Sequence, residues 1–349
     1  MIRILVTGGG APGIKGTIFS LRNNSVCENV FIAVTDVKED CAGKYLADEF
    51  FVIAHSRDKE NYLQQILDIS KQHKIDVIIP QNTLELEVLS EHINIFEKNQ
   101  IKVAVSEYNS LLLVNNKFNL TQLAKKLNIP VPATYIVSTF NDLVKYAKEL
   151  GWPDKRVLIK PPKSNGSRGL RIIDEQLNYL NQFYNEKPNN IFTKMEILHS
   201  ILGDKFPELM ITEFIEGDEI TVDAFRYSSN EIFIPRIRKQ ILNGISFINE
   251  YYESDEIIHY SKILSESVDL KYAFGFQFII DKNKVPYLIE CNPRIQGTMV
   301  FSTLAGCNLI YATVNALLNK RIPDFNLNKN TKLYRYWGAI GINDKMIIV

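Results

Sequence analysis

Through the first hundred residues, short apolar runs alternate with polar stretches of helical character. Ile2 to Thr7, Val30 to Thr35 and Asp76 to Pro80 read as strands, and Glu60 to Gln72 and Leu84 to Lys98 as helices. Strands separated by helices predict parallel βαβ units. Near Lys117 the pattern changes. Asn115-Asn116-Lys117 reads as a helix start, and the helix carries Leu120, Leu123, Ala124 and Leu127 before stopping at Ile129-Pro130. Pro130-Val131-Pro132 marks a boundary. A smaller lobe follows, with a helix at Asn141 to Leu150, a strand at Arg156 to Lys160 and a Gly/Ser-rich turn at Ser164 to Gly169. From Leu209 the chain becomes strand-rich: Met210 to Ile215, Glu219 to Tyr227, Glu231 to Arg238, Phe274 to Asp281 and Val285 to Asn292. An apolar helix at Ile310 to Leu318 closes this part. The polar segment Tyr179 to Asn190 reads as a flexible insertion. The order of elements predicts an α/β chain that becomes α+β in its second half.

Composition narrows the function. The chain has 349 residues, enough for two or three domains at about 100 to 200 residues each. Its 40 Lys and Arg balance 40 Asp and Glu, which leaves no global field for a nucleic acid backbone or an anionic membrane. No apolar run approaches the roughly 18 to 20 residues of a membrane span. The N-terminal strand lacks the basic and cleavable regions of a signal peptide, so the expected location is the cytoplasm. Cys27, Cys41, Cys291 and Cys307 are scattered, without metal-site or disulfide spacing.

The first glycine cluster carries two readings. Thr7-Gly8-Gly9-Gly10-Ala11-Pro12-Gly13 satisfies G-x-G-x-x-G after a strand, and Asp36 ends the next strand at the distance a dinucleotide fingerprint asks. The other reading is close helix packing, with Pro12 standing where a donor amide is wanted. A P-loop is missed because Ile14 follows Gly13.

The second half holds a denser constellation. Val157-Leu158-Ile159-Lys160-Pro161 delivers a lysine to a strand end, and Ser164, Gly166, Ser167 and Gly169 follow in a loop with unhindered backbone. Such a pair suits phosphate oxygens. Glu219, Thr221 and Asp223 share one face of a strand, placed either for a hydroxyl-rich ligand or in a solvated outer face. A hairpin turning symmetrically about Asn283-Lys284 sets Gln277 opposite Glu290, with Asn292 on the same face. These oxygen donors suit a hard cation such as magnesium, although an odd-length turn shifts the register and undoes the pairing. Arg294 follows at once, and Arg236 and Arg238 share a strand face. Forked arginines hold planar oxyanions.

Taken in order, these residues resemble the ATP-grasp superfamily, in particular single modules similar to one half of the carbamoyl-phosphate synthase large subunit. The resemblance implies a Rossmann-like pre-ATP-grasp domain over residues 1–112. An ATP-grasp module follows over 113–325, with a small lobe at about 131–210 and a strand-rich lobe at about 211–325, and then a tail over 326–349. It places Lys117 and Lys160 on phosphates and Ser164 to Gly169 as the loop closing over ATP. The adenine hinge falls on Glu213, Phe214, Ile215 and Glu216, and the ribose carboxylate on Glu219. Gln277, Glu290 and Asn292 become ligands of Mg2+, or of Mn2+, and Arg294 steadies an acyl phosphate, sharing the catalytic role with Lys160. The implied activity is ligation of a small-molecule carboxylate to a nucleophile, an amine by expectation, with release of ADP and phosphate. With one module and no amidotransferase segment, synthesis of carbamoyl phosphate itself is not expected. Two alternatives stay open: an NAD(P)-dependent oxidoreductase using the N-terminal glycines, and a catalytically silent ATP-binding regulator. The aromatic segment Tyr334-Arg335-Tyr336-Trp337 reads as an added strand, a homodimer interface, or both.

Overall fold

The computed structural model describes residues 1–24, 28–164, 166–187, 190–242, 244–336, 338–342 and 346–348; Cys27, Asn165 and Trp337 lie outside them. Five parallel strands open the chain: β1 (Ile2–Thr7), β2 (Val30–Asp36), β3 (Glu49–Val52), β4 (Val77–Ile79) and β5 (Lys102–Val103), ordered β3-β2-β1-β4-β5. Alternate residues serve opposite faces. Ile4, Val6, Ile32 and Val34 join the cluster that contains helix Leu309–Leu317, every residue of which is buried. Leu5, Ala33 and Ile78 join Tyr62, Leu63 and Ile66 of helix Lys59–Gln72 in another. Burial on both faces explains why these strands read as unbroken apolar runs. The chain builds β2 and β3 to one side of β1 and then β4 and β5 to the other. The carboxyl ends of β1 and β4 therefore flank a topological switch point, where open α/β sheets bind ligands.

The helix expected over 84–98 is broken at His92 into Thr83–Glu91 and Ile93–Glu97. Asn82 starts the first piece, its side chain accepting from the Leu84 and Glu85 amides. Part of the segment expected to be a flexible insertion is helical: Tyr179–Asn185 folds behind an Asn178 cap.

The chain divides into two compact units, one of residues 1–115, 219–277 and 291–349, the other of 116–218 and 278–290. The second holds a sheet of β6 (Thr134–Thr139), β7 (Val157–Lys160), β8 (Arg171–Ile173), β9 (Phe192–Thr193) and β10 (Lys205–Glu213), ordered β6-β10-β7-β8-β9. Leu143 and Ala147 of helix Phe140–Glu149 pack on Val137, Val157, Ile159 and Ile211.

A third sheet is built from β11 (Asp218–Tyr227), β12 (Asn230–Leu242), β13 (Ile245–Tyr251), β14 (Tyr272–Ile280), β15 (Pro286–Asn292) and β16 (Lys332–Tyr334), ordered β15-β14-β11-β12-β13-β16. β16 pairs antiparallel with β13, so the C-terminal segment contributes a strand, as one of its readings held. Arg335 then reaches back, donating to the carbonyls of Pro12 at 3.0 Å and Gly297 at 2.9 Å. The last strands, β17 (Ile340–Ile342) and β18 (Met346–Ile348), pair with each other. Among the described residues no helix is long and apolar enough to cross a membrane.

The face carrying Glu219, Thr221 and Asp223 is not solvated at its far end. Thr221 and Asp223 are buried, as is Arg236 on β12. Arg236 grips Asp223 by two bonds of 3.0 and 3.2 Å, and Ser302 of helix Val300–Leu304 donates to the same carboxylate at 2.9 Å. Asn249 of β13 accepts a further bond from Arg236.

Candidate functional site

In the second unit two lysines converge on one carboxylate. Asn116 caps helix Lys117–Lys126 by accepting from the Phe118 and Asn119 amides, which fixes Lys117 in the first helical position. The Lys117 side chain is buried, donates to the Ser164 carbonyl at 2.6 Å, and lies 3.5 Å from Glu290. Lys160 ends β7, buried beside Met210 of β10. Burial pushes the Lys160 amine down to about 8; Glu290 opposes that shift and Lys117 adds to it. A desolvated ammonium next to a second cation is unfavourable on its own, and an incoming polyanion would relieve it.

The loop after β7 is turned back sharply. Gly166, Ser167 and Gly169 all have positive φ, and a β-carbon on Gly169 would stand 2.7 Å from Pro161 Cδ, so only glycine fits there. Ser164 places its carbonyl on Lys117, which ties this loop to the lysine pair. A cleft in the same unit is walled by Leu158, Met210, Phe214, Ile279 and Leu288, and Lys160, Glu213 and Ile215 also line it. Apolar walls with a buried lysine suit a flat heterocycle attached to an anionic tail. A larger hollow of about 290 Å³ near helix Tyr179–Asn185 is lined by Tyr179, Phe192, Ile197 and Ile201, with Arg171 as its single charged residue, and offers no comparable chemistry.

The other expected residues belong to the first unit. Glu219 is paired with Arg238 at 2.6 Å and Asn292 is buried, with its side-chain oxygen 3.4 Å from the Arg294 guanidinium. Gln277 is half-buried on β14. The hairpin after β14 turns at a different point from the one expected. Asp281 donates to the Val285 carbonyl and accepts from Lys284, whose φ is 68°. The turn is thus centred on Asn283, and a symmetric pairing of Gln277 with Glu290 does not follow from it. Glu290, Cys291 and Asn292 follow one another on β15, so Glu290 and Asn292 still stand two positions apart on one strand. Arg236 and Arg238 are held by Asp223 and Glu219 respectively.

The N-terminal glycine loop is resolved in favour of packing. Its donors are spent inside the chain: Gly9 on the Thr35 carbonyl, Gly10 on Asp36 and Ala11 on the Gly8 carbonyl. Asp36, the residue a dinucleotide would need, also accepts from Lys38. A β-carbon on Gly13 would stand 2.8 Å from the α-carbon of Gly297, so this glycine allows two backbones to touch. Residues not anticipated from the sequence gather beside this loop, namely Thr7, Gln81 and Glu85. Their signal was position: Thr7 and Gln81 sit at carboxyl ends of parallel strands.

A parallel leading sheet, a mixed sheet with Lys160 and a glycine loop at one strand end, and a strand-rich sheet bearing E-x-N-P-R are the parts that the ATP-grasp resemblance calls for. Residues 4–104 match the family model described as PylC-like, N-terminal domain, and residues 205–336 the one described as ATP-grasp in the biosynthetic pathway with Ter operon. The chain thus carries a PylC-like segment at its start and an ATP-grasp segment in its second half. It is 25% identical over 302 residues to the carbamoyl phosphate synthase large chain of Clostridium acetobutylicum, an alignment that takes in 82% of this chain and 26% of that one. The chain thus spans about a quarter of the length of that relative. Among solved structures it is similar to N5-carboxyaminoimidazole synthetase from Staphylococcus aureus complexed with ADP, with a TM-score of 0.67, 18% identity, and coverage of 93% of this chain and 80% of that one. It is also similar to the biotin carboxylase of Campylobacter jejuni, with a TM-score of 0.68, 19% identity, and coverage of 94% and 74%.

Proposed function

We propose that the chain uses ATP and a divalent cation to phosphorylate a small-molecule carboxylate and transfers the acyl group to an amine, releasing ADP and phosphate. The observation that carries this reading is the convergence of buried Lys117 and Lys160 on Glu290, beside a glycine loop and an apolar cleft. In it the substrate carboxylate oxygen attacks the γ-phosphorus and ADP leaves; the amine then attacks the acyl carbon and phosphate leaves. Transfer of this kind needs position and charge neutralisation, not a protein nucleophile.

Lys117 and Lys160 would hold the phosphates, the loop carrying Ser164, Gly166, Ser167 and Gly169 would cover them, and the cleft at Glu213, Phe214, Ile215 and Glu216 would take the base. Glu219, already oriented by Arg238, would meet the ribose. Gln277, Glu290 and Asn292 offer only oxygen donors, and Glu290 is held among cations. That donor set fits magnesium or manganese and excludes soft-metal preference. Bound there, the cation would neutralise phosphate charge. Arg294 would steady the acyl phosphate.

Two outcomes test this. ATP should raise the thermal midpoint of the purified chain, more so with magnesium, while NADPH leaves it unchanged; a shift with NADPH alone would instead restore the oxidoreductase reading. Glu290→Gln should lower ADP release by on the order of a hundredfold with the circular dichroism spectrum unchanged. Unaltered ADP release from that variant sinks the metal assignment.

A further inference from the structure

We infer that helix Tyr179–Asn185, with helix Met195–Leu202 beside it, forms an interface through which two copies of this chain pair about a two-fold axis. Both helices belong to the second unit. The first buries none of its seven residues. Its Asn178 cap accepts from the Asn181 amide, and a helix of this length does not hold itself in water. What it turns outward is apolar: Leu180, Phe183 and Tyr184 are 69%, 80% and 74% exposed, and Ile201 of the neighbouring helix is 62% exposed. Tyr179 and Ile197 continue the face, joining Ile201 in the walls of the hollow beside it. Tyr179 with Phe183, and Leu180 with Tyr184, stand one turn apart, and the Phe183 and Tyr184 rings meet edge to face at 5.1 Å. Aromatic side chains carry about 150 to 250 Å² each, so Phe183 and Tyr184 alone bare on the order of 300 Å², as much as the largest apolar patch of many monomers. Four further apolar side chains bring the face towards the roughly 800 Å² that each partner gives to a standard interface.

Charge points to a second copy as the occupant. Helix Tyr179–Asn185 carries no charged residue, so identical helices meet without repulsion, and the balance of 40 cationic and 40 anionic side chains leaves no net charge to hold two copies apart. The rim of the face has both signs. Arg171 lines the hollow, donates to the Leu170 carbonyl at 2.7 Å, and has no carboxylate partner among the described residues. Glu186, at the end of the helix, and Glu196, on the neighbouring one, are exposed and have no cation partner among the described residues. About a two-fold axis each contact occurs twice, so the arginine of each copy can meet a carboxylate of the other. A partner of one charge sign would answer only half of this rim. The anchor is already fixed in place: the Tyr179 hydroxyl accepts from the Lys194 amide at 3.0 Å, and the Lys194 ammonium stands over the ring. Aromatic side chains and an arginine inside a polar rim are what interfaces concentrate. The inference does not depend on the ligase reading.

The test is sedimentation equilibrium of the full chain, without ATP, over about a hundredfold range of concentration around the micromolar. The wild type should pass from monomer to dimer. Phe183→Glu, which sets a carboxylate in the middle of the apolar face, should weaken the dimer on the order of a hundredfold, with the circular dichroism spectrum unchanged because the residue packs in no core. Arg171→Glu, and the double variant Glu186→Arg with Glu196→Arg, should each self-associate about tenfold more weakly than the wild type. An equimolar mixture of these two should dimerise again, because each then offers the charge that the other lacks. A wild-type chain that stays monomeric throughout, a dimer indifferent to Phe183→Glu, or a mixture no tighter than either variant alone overturns the inference.

Discussion

Replacing Lys160 with methionine is expected to stabilise the free chain while removing its grip on ATP. Lys160 is buried at the end of β7, and its amine is held down at about 8, against an ordinary value of 10.5. Below pH 8 both the folded and the unfolded chain carry the proton, and the folded state bears the full cost of the buried charge. Between about 8 and 10.5 the unfolded chain keeps a proton that the folded chain has lost, so wild-type stability rises with pH through this window. The variant has no such dependence. Its advantage should therefore be largest at pH 7, up to about 3 kcal/mol from the size of the shift, and should close as the pH approaches 10.5. Denaturant unfolding of both proteins at pH 7 and pH 10 reads this directly. ATP affinity should move the opposite way, falling on the order of a hundredfold, because a desolvated cation placed for a polyanion is lost. A variant that is less stable at pH 7, or one that binds ATP as well as the wild type, refutes the role given to Lys160. Sites hold such local conflicts, and stability rises when they are removed.

The same lysine shows what was readable in the sequence. An apolar run ending in lysine, followed by proline and then glycines, states locally that a strand delivers a cation to a turn. Asn116 before Lys117 states locally that a helix begins there, and the cap bonds bear that out. These features depend on neighbours a few residues away. The burial of Asp223 does not. It comes from Arg236 on the next strand and from Ser302, which lies far along the chain, and no alternation on β11 alone distinguishes a covered face from a wet one. The glycine loop carried two readings for a related reason. A dinucleotide site and a close helix contact both require glycine, and the difference lies in where the amides go and in Gly297 pressing on Gly13. The turn at Asn283 was a matter of one residue, and one residue decides which side chains face each other. Glu85 was hidden in a polar helix that looked solvated, and its environment is set by Thr7 and Tyr62, both distant in sequence.

Arg236→Met is expected to cost the chain about 3 to 5 kcal/mol, the usual consequence of leaving one partner of a buried ion pair uncompensated. Asp223 has no exposed surface, and without Arg236 its carboxylate keeps only the Ser302 hydroxyl as a described side-chain donor. The Asn249 oxygen loses a donor as well, next to an amide nitrogen that already lacks a partner. The arginine is also large and fully covered, and methionine fills most of its stem without its charge. The double variant Asp223→Leu with Arg236→Met should recover most of the loss, because removing both charges ends the desolvation cost that each paid for separately. Chemical denaturation of the wild type, both single variants and the double variant gives the coupling energy by a thermodynamic cycle. A single variant within 1 kcal/mol of wild type would show the pair to be hydrated, contrary to its burial. A double variant as unstable as the singles would assign the cost to packing under helix Val300–Leu304. That helix lies against Ile14–Arg22, the helix that follows the glycine loop, and a β-carbon on Gly16 would stand 3.0 Å from Val300. The pair therefore sits beneath the contact that holds the strand-rich sheet to the start of the chain. Loosening it should lower protection from hydrogen exchange in both helices together, and leave the sheet around Lys160, in the other unit, unaffected.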